Sequence, residues 1–292
     1  TIRGGYAGSG DSLSDEDTIL KRLTTPTKGR ALLIANCPGV LLERLAVTGC
    51  SVTPAKSGTT SGLAIYSSNT ELAFRDCAVT NNSIYVTTGQ TYNGGGLYIT
   101  GGSLSVEDSL FAGNSIGGAA DHISCYGGAI RATSLTRLAL RNSTFSNNMV
   151  RAHYIPNQGG ALHLSSIADA TISNCVFAGN WALKSPNYGG RDNGYGGCIC
   201  ASSVTSLRIA DSLFTGNGNN ARPGSTWTYG GRGGTLYLSG GSTVIERTVF
   251  LRNGYRPTSA TTLDSGSLYL ASGSLMLRNV LQLYERVLKR AV

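Results

Sequence analysis

One spacing constrains this chain more than anything else in it: a Phe-x-x-Asn signature returns every 32 to 37 residues. The copies are Phe111/Asn114, Phe145/Asn148, Phe177/Asn180, Phe214/Asn217 and Phe250/Asn253, with Val79/Asn82 and Val47/Cys50 as variants. Ahead of each lies a second signature, a double glycine followed by a small and an apolar residue. Gly127-Gly128-Ala129-Ile130 and Gly159-Gly160-Ala161-Leu162 are the cleanest, and degenerate early copies begin at Gly29 and Thr60. A fixed period of this length marks a solenoid or propeller, in which one supersecondary unit stacks on its own copies.

Between the two signatures the apolar residues alternate with period two, as strands do. Leu97-Tyr98-Ile99 and Leu162-His163-Leu164 each read in-out-in, and Leu104/Val106 and Leu138/Leu140 give a second strand before the Phe. Three residues before the Phe the chain carries Asp76, Asp108, Asn142, Asn174 and Asp211, a polar bend, followed by a small residue. No helical period occurs inside the repeats. The expected fold is all-β, a single-stranded parallel β-helix of about eight coils over residues 29–279. At about 4.8 Å per coil the rod is roughly 38 Å long. Residues 1–28 form an N-terminal capping segment. Residues 280–292 place Leu281, Tyr284, Val287 and Leu288 on one helical face, and predict a short C-terminal helix that caps the last coil or docks another segment.

The composition fits a stacked array. Glycine supplies 40 of 292 residues, which suits corners needing positive φ or close backbone approach. Charged residues are only 14%, because identical residues stack along the rod and like charges would repel. Asn at the recurring turn tolerates left-handed geometry, and its amide can bond along the stack. The structural residues of the repeat are Gly128, Ile130, Phe145, Asn148, Gly160, Phe177, Asn180, Phe214 and Asn217.

These residues resemble the repeats of the chlamydial polymorphic outer-membrane proteins, whose signatures are GGA(I/L/V) and FxxN. The resemblance covers residues 29 to about 279, with Arg30 and Cys50 departing from the pattern. It implies a right-handed parallel β-helix, an extracellular or cell-surface location, and an adhesive or structural role inside a larger assembly.

Chemistry-bearing residues point the same way. Only 16 acidic residues are present, and those at the bend alternate with Asn, as bend residues do and paired catalytic carboxylates do not. No metal-ligand or nucleophile signature stands out, so no catalytic residue, metal or cofactor is expected. A row after the double glycine, running Ala64, Tyr98, Arg131, His163, Cys200, Tyr237 and Tyr269, reads as solvent-facing, with a Cys-His nucleophile as the sharper alternative. Seven cysteines make an odd count. Cys125 is best placed to reach Cys198 or Cys200, and Cys77 and Cys175 read as small core residues.

Length variation collects after the Asn, in loops that hold both tryptophans, together with Tyr85, Tyr92 and Tyr126. The candidate binding residues are Trp181, Tyr188, Arg191, Tyr195, Arg222, Trp227, Tyr229 and Arg232, a composition suited to protein or glycan contact. The alternative for these loops is self-packing. The expected function is a non-catalytic adhesin or structural rod with a protein or surface-glycan partner, without nucleic-acid binding or membrane insertion by this chain. The runner-up is a polysaccharide-processing or carbohydrate-binding β-helix.

Overall fold

A computed structural model describes residues 1–3, 18–20, 30–53, 60–86, 91–118, 124–152, 157–184, 194–219, 232–254 and 267–283. The chain is a parallel β-solenoid of about six complete turns, and no helix occurs among the described residues. Four sheets run along the rod. An 11-stranded sheet contains the strands after the double glycine, for example Leu97–Glu107, Leu162–Ser173 and Ile199–Ala210. A 9-stranded sheet contains the Phe strands, and a 6-stranded sheet contains those that follow the Asn. A 3-stranded sheet precedes the double glycine and continues as single bridges from Tyr126 to Gln158, Tyr195 and Arg232.

Register is exact in the Phe sheet, where Phe111 pairs with Phe145, Phe145 with Phe177, Phe177 with Phe214 and Phe214 with Phe250. The last three pairs stack nearly parallel, with centroids 4.7–4.9 Å apart. Where Val79 takes the Phe place, Phe74 from the neighbouring sheet fills the space and meets Phe111 edge-on at 5.7 Å. Volume is conserved even where the signature lapses, as a close-packed interior requires.

The Asn residues are the second internal column. Asn82, Asn114, Asn148, Asn180 and Asn217 are fully buried. Each Nδ2 donates to the Oδ1 of the Asn one coil on, at 2.9–3.1 Å. It also donates to a backbone carbonyl one coil back, as Asn148 does to Phe111. Each Oδ1 also accepts the backbone N–H of the matching residue one coil back, which is Cys50 for Asn82 and an Asn for the others. The left-handed residue of this turn is not the Asn but the one before it, Asn81, Gly113, Asn147, Gly179 or Gly216. An inward amide bonded on three sides has no need of unusual backbone; the bend outside it does. The polar bend before the Phe is left-handed throughout, with Asp76, Asp108, Asn142, Asn174 and Asp211 at φ 49–52°.

The two corner glycines have different reasons. The first, Gly127 or Gly159, has φ of 65° and 67°. The second has ordinary φ but no room. A Cβ on Gly128 would strike the Gly160 carbonyl oxygen and the backbone of Met149, because here the start of each coil touches its own end.

Strand pairing also reaches into residues 1–28: Ile2–Arg3 pairs with Leu42–Glu43, and Thr18–Leu20 pairs with Leu45–Val47. At the other end, Leu281–Leu283 is a strand beside Val249–Leu251, not the first turn of a helix. The Phe sheet offers this segment a free edge with complementary register, and edge pairing overrides the helical period. Residues 284–292 lie outside the described residues.

Outside the core, one column of the long sheet reads Arg3, Glu43, Arg75, Glu107, Arg141, and later Glu246, Arg278. Opposite charges alternate from coil to coil, and Ser173 and Ala210 separate the two runs. Stacked like charges are thereby avoided in the column where charge is densest.

Candidate functional site

The double-glycine corner turns so sharply that the residue before it lies beside the residue five further on. Gln158 and His163 meet this way, with Oε1 2.9 Å from Nε2, and Tyr126 packs edge-on against His163 at 4.8 Å. The corner brings together two rows. One is Tyr126, Gln158, Tyr195 and Arg232; the other is Tyr66, Tyr98, Arg131, His163, Cys200, Tyr237 and Tyr269.

Together they form an aromatic and cationic ladder. The Arg30 guanidinium lies 4.5 Å from the Tyr66 ring centre, and Tyr66 meets Tyr98 edge-on at 5.5 Å. The Arg131 guanidinium is held between Tyr126 and Tyr98, 4.3 and 5.7 Å from their centroids. Its Nε and one terminal nitrogen are buried without a hydrogen-bond partner among the described residues. Further along, Tyr195 stacks on Tyr237 at 4.7 Å and Tyr237 on Tyr269 at 5.5 Å, with Arg232 within 6 Å of Tyr195 and Tyr269. Such cation–π contacts stabilise by about 0.5–2 kcal/mol each, more as water is excluded.

The row expected to face solvent is therefore partly covered. His163 and Cys200 are buried, because the row before the glycines folds over them. The degenerate copy also shifts by two residues. Gly62 takes the place of the first glycine, so Tyr66 rather than Ala64 heads the column. Tyr92, expected in a loop, is an inward strand residue and fully buried.

Burial sets the chemistry of the central pair. Burial, reinforced by the Arg131 charge, lowers the His163 pKa to about 3. Burial alone pushes the Cys200 thiol far above its usual range. With Gln158 Oε1 accepting from both Nε2 and the thiol, His163 carries its proton on Nε2, and Nδ1 has no hydrogen-bond partner among the described residues. At neutral pH the pair is a neutral imidazole and a thiol, not the thiolate–imidazolium of an activated cysteine. All seven cysteines are thiols.

One expected result follows from His163. Its folded pKa lies below the unfolded value near 6.5, so the unfolded chain binds the extra proton first as pH falls. The stability that this site contributes above pH 6.5 is lost between about pH 6.5 and 3, with a slope up to ~1.4 kcal/mol per pH unit. Urea unfolding from pH 7 to 4 should show that slope, and His163→Gln should reduce it by one proton.

Of the residues singled out in sequence for binding, Tyr195 and Arg232 belong to the corner ladder. Trp181 lies elsewhere, in strand Trp181–Lys184, where its half-buried ring covers Gly218 of the next coil. Tyr188, Arg191, Arg222, Trp227 and Tyr229 lie outside the described residues. The ladder's other members, Tyr126, Gln158 and Tyr66, were missed as a group. Their signal is positional: Tyr126 and Gln158 stand just before the first glycine of their coils, and Tyr66 stands four residues after Gly62. Elsewhere the bend of the long sheet leaves a depression of about 480 Å³ lined by Ser134, Thr136, Ser166, Ser203 and Thr205, which offers hydroxyls but no titratable group. Comparison of the chain with protein families, with characterised proteins and with solved structures finds no match.

Proposed function

We propose that this solenoid is a non-catalytic, extracellular or cell-surface rod that binds a protein partner along its double-glycine corner. The reading includes kinship with the chlamydial polymorphic outer-membrane repeats, supported by the paired GGA and FxxN signatures. What carries it is the ladder itself: tyrosines and arginines in register over successive coils, beside the point where the variable segments enter and leave. Aromatic and Arg side chains dominate the energetics of protein interfaces.

The stacking favours protein over flat sugar rings. In the run Tyr195–Tyr237–Tyr269 the central ring is stacked on by both neighbours, so what Tyr237 leaves to a ligand is its hydroxyl-bearing edge. The test is surface binding measured against host-cell proteins and a glycan array, with polysaccharide turnover followed in parallel. Tyr98→Ala and Tyr237→Ala should each weaken protein binding at least tenfold, while the exposed Arg137→Ala on the long sheet leaves it unchanged. Binding indifferent to both tyrosines sinks the corner as the site. Turnover of a polysaccharide overturns the non-catalytic reading.

A further inference from the structure

Charge is segregated around the circumference of the rod. Every carboxylate among the described residues stands in one sector, between the bend that divides the long sheet and the bend before the Phe sheet. The described glutamates and Asp169 lie on the far half of the long strands, and Asp76, Asp108 and Asp211 lie at the bend. Arginines are interleaved with them, and ion pairs join Arg75 to Glu43, Arg208 to Glu246 and Arg247 to Asp211. Opposite signs cancel there. The sector across the rod runs from the sheet after the Asn, through the double-glycine corner, to the near half of the long strands. Among the described residues it holds Arg30, Arg131, Arg151 and Arg232, and no carboxylate. Arg131, Arg151 and Arg232 have no ion pair among the described residues, and Arg131 and Arg151 keep buried N–H groups without an acceptor. The loops that enter and leave this sector bring no surplus of acid. They carry Asp121, Asp192 and Asp264 against Lys56, Arg191, Arg222 and Arg256.

We propose that the corner receives an extended acidic segment of a protein partner, laid along the rod with its carboxylates on Arg131 and Arg232. This deepens, and rests on, the reading of the corner as a protein-binding face. Spacing selects the ligand. Arg232 lies three coils beyond Tyr126, the ring that holds the Arg131 guanidinium, so the two cations stand about 14 Å apart along the rod. In an extended chain four residues span about 13 Å, so carboxylates four residues apart reach both. A nucleic-acid duplex presents a charge about every 1.7 Å, and two isolated cations neutralise too little of such a backbone to retain it.

The ground between the two cations is uncharged. His163 is buried and neutral, and Gln158, Tyr195 and Tyr237 are half-buried, so a peptide backbone meets amide and hydroxyl groups and no competing charge. Both guanidiniums are already held on rings, Arg131 by Tyr126 and Tyr98 and Arg232 by Tyr195 and Tyr269. Docking a carboxylate on them therefore costs little further side-chain ordering. A basic segment is repelled by the same sector, which gives the corner a sign preference among protein partners.

Titration of the immobilised whole chain with synthetic Gly/Ser peptides tests this, one carrying Glu at every fourth position and its counterpart carrying Gln. A sulfated polysaccharide and a DNA duplex serve as rival polyanions. The Glu peptide should bind at least tenfold tighter than the Gln peptide, and should weaken at least tenfold between roughly 0.01 and 0.5 M salt. Arg131→Gln and Arg232→Gln should each weaken it severalfold, Arg232→Lys should retain most of it, and Arg137→Gln in the balanced sector should leave it unchanged. Melting curves verify that each variant folds. Equal binding of the two peptides, or indifference to both arginines, overturns the acidic partner. If Tyr98→Ala and Tyr237→Ala then still weaken binding of host-cell protein, the corner stands as the binding face and only its preference for acid falls. If they do not, both readings fall together. Tighter binding of the sulfated polysaccharide or the duplex overturns the proposal by making the ligand a polyanion rather than a peptide.

Discussion

Asn148→Ala should cost about 4–6 kcal/mol, enough to abolish folding of the central coils or of the whole rod. The side chain is fully buried and makes four hydrogen bonds. Its Oδ1 accepts from the Asn114 backbone N–H at 3.0 Å and from Asn114 Nδ2 at 3.1 Å. Its Nδ2 donates to the Phe111 carbonyl at 2.9 Å and to Asn180 Oδ1 at 3.0 Å. Alanine takes the partner from the Asn114 N–H and the Phe111 carbonyl in a dry interior, at about 1–3 kcal/mol per unpaired group, and leaves Asn114 Nδ2 with only the Val79 carbonyl and Asn180 Oδ1 with only the backbone N–H of residue 148. Domains of ordinary stability have only about 5–15 kcal/mol in total. Because each coil is stabilised only by its neighbours, the damage is not shared along the rod. Denaturation followed by circular dichroism should show a large fall in midpoint or a split into two transitions. Asn148→Asp is the sharper probe. A carboxylate there keeps the shape but has no donor for Phe111 or Asn180, so the variant should gain stability as pH falls, opposite to the wild-type trend set by His163. Asn142→Asp, at the exposed bend where Asp76 and Asp108 stand in other coils, should be near neutral. A loss below ~1 kcal/mol for Asn148→Ala would mean that water or a shift of the coil satisfies the ladder.

The contrast between Asn148 and Asn142 also explains what was readable in the sequence. Phe145, Asn148 and Gly160 were legible because an inward residue in a stack meets its own copy. Its identity is therefore imposed coil after coil, and the period surfaces in a single sequence. Outward residues have no such constraint. Tyr126 and Arg131 touch only because two glycines fold the chain back through five residues, and Arg131 in one coil is His163 or Cys200 in the next. Their grouping is a property of the corner, not of a repeated letter. Degenerate copies mislead for the same reason. Leu63 stands where the second glycine belongs, so the sequence pattern puts the start of the copy at Thr60, although the left-handed residue is Gly62. The alternating charges of the long sheet were present in the sequence as scattered residues. Only the register lined them up.

Gly160→Ala should destabilise the rod by at least ~3 kcal/mol, and the reason is space rather than conformation. Gly160 does not sit in the left-handed region, so alanine's backbone preference is no obstacle. A Cβ there would collide with the Gly197 carbonyl oxygen of the next coil and with the backbone N and C of Trp181, where the same coil ends. Backbone atoms have no rotamer to escape into, so two walls of the solenoid must separate and the parallel ladder to the next coil must lengthen. Overpacking of this kind usually costs about 1–3 kcal/mol when side chains can adjust, and more when only backbone can move. Gly159→Ala tests the other cause, since Gly159 has φ of 67° and a Cβ there also meets the Leu162 carbonyl. Gly39→Ala tests neither, because nothing lies within 4 Å of its Cβ position and its φ is ordinary, so that variant should be neutral or slightly stabilising. Melting temperatures that rank Gly39→Ala far above the other two support a rod whose corner is set by contact between the start and end of each coil. If Gly160→Ala matched Gly39→Ala, that contact would be loose, and the double glycine would serve the left-handed turn alone.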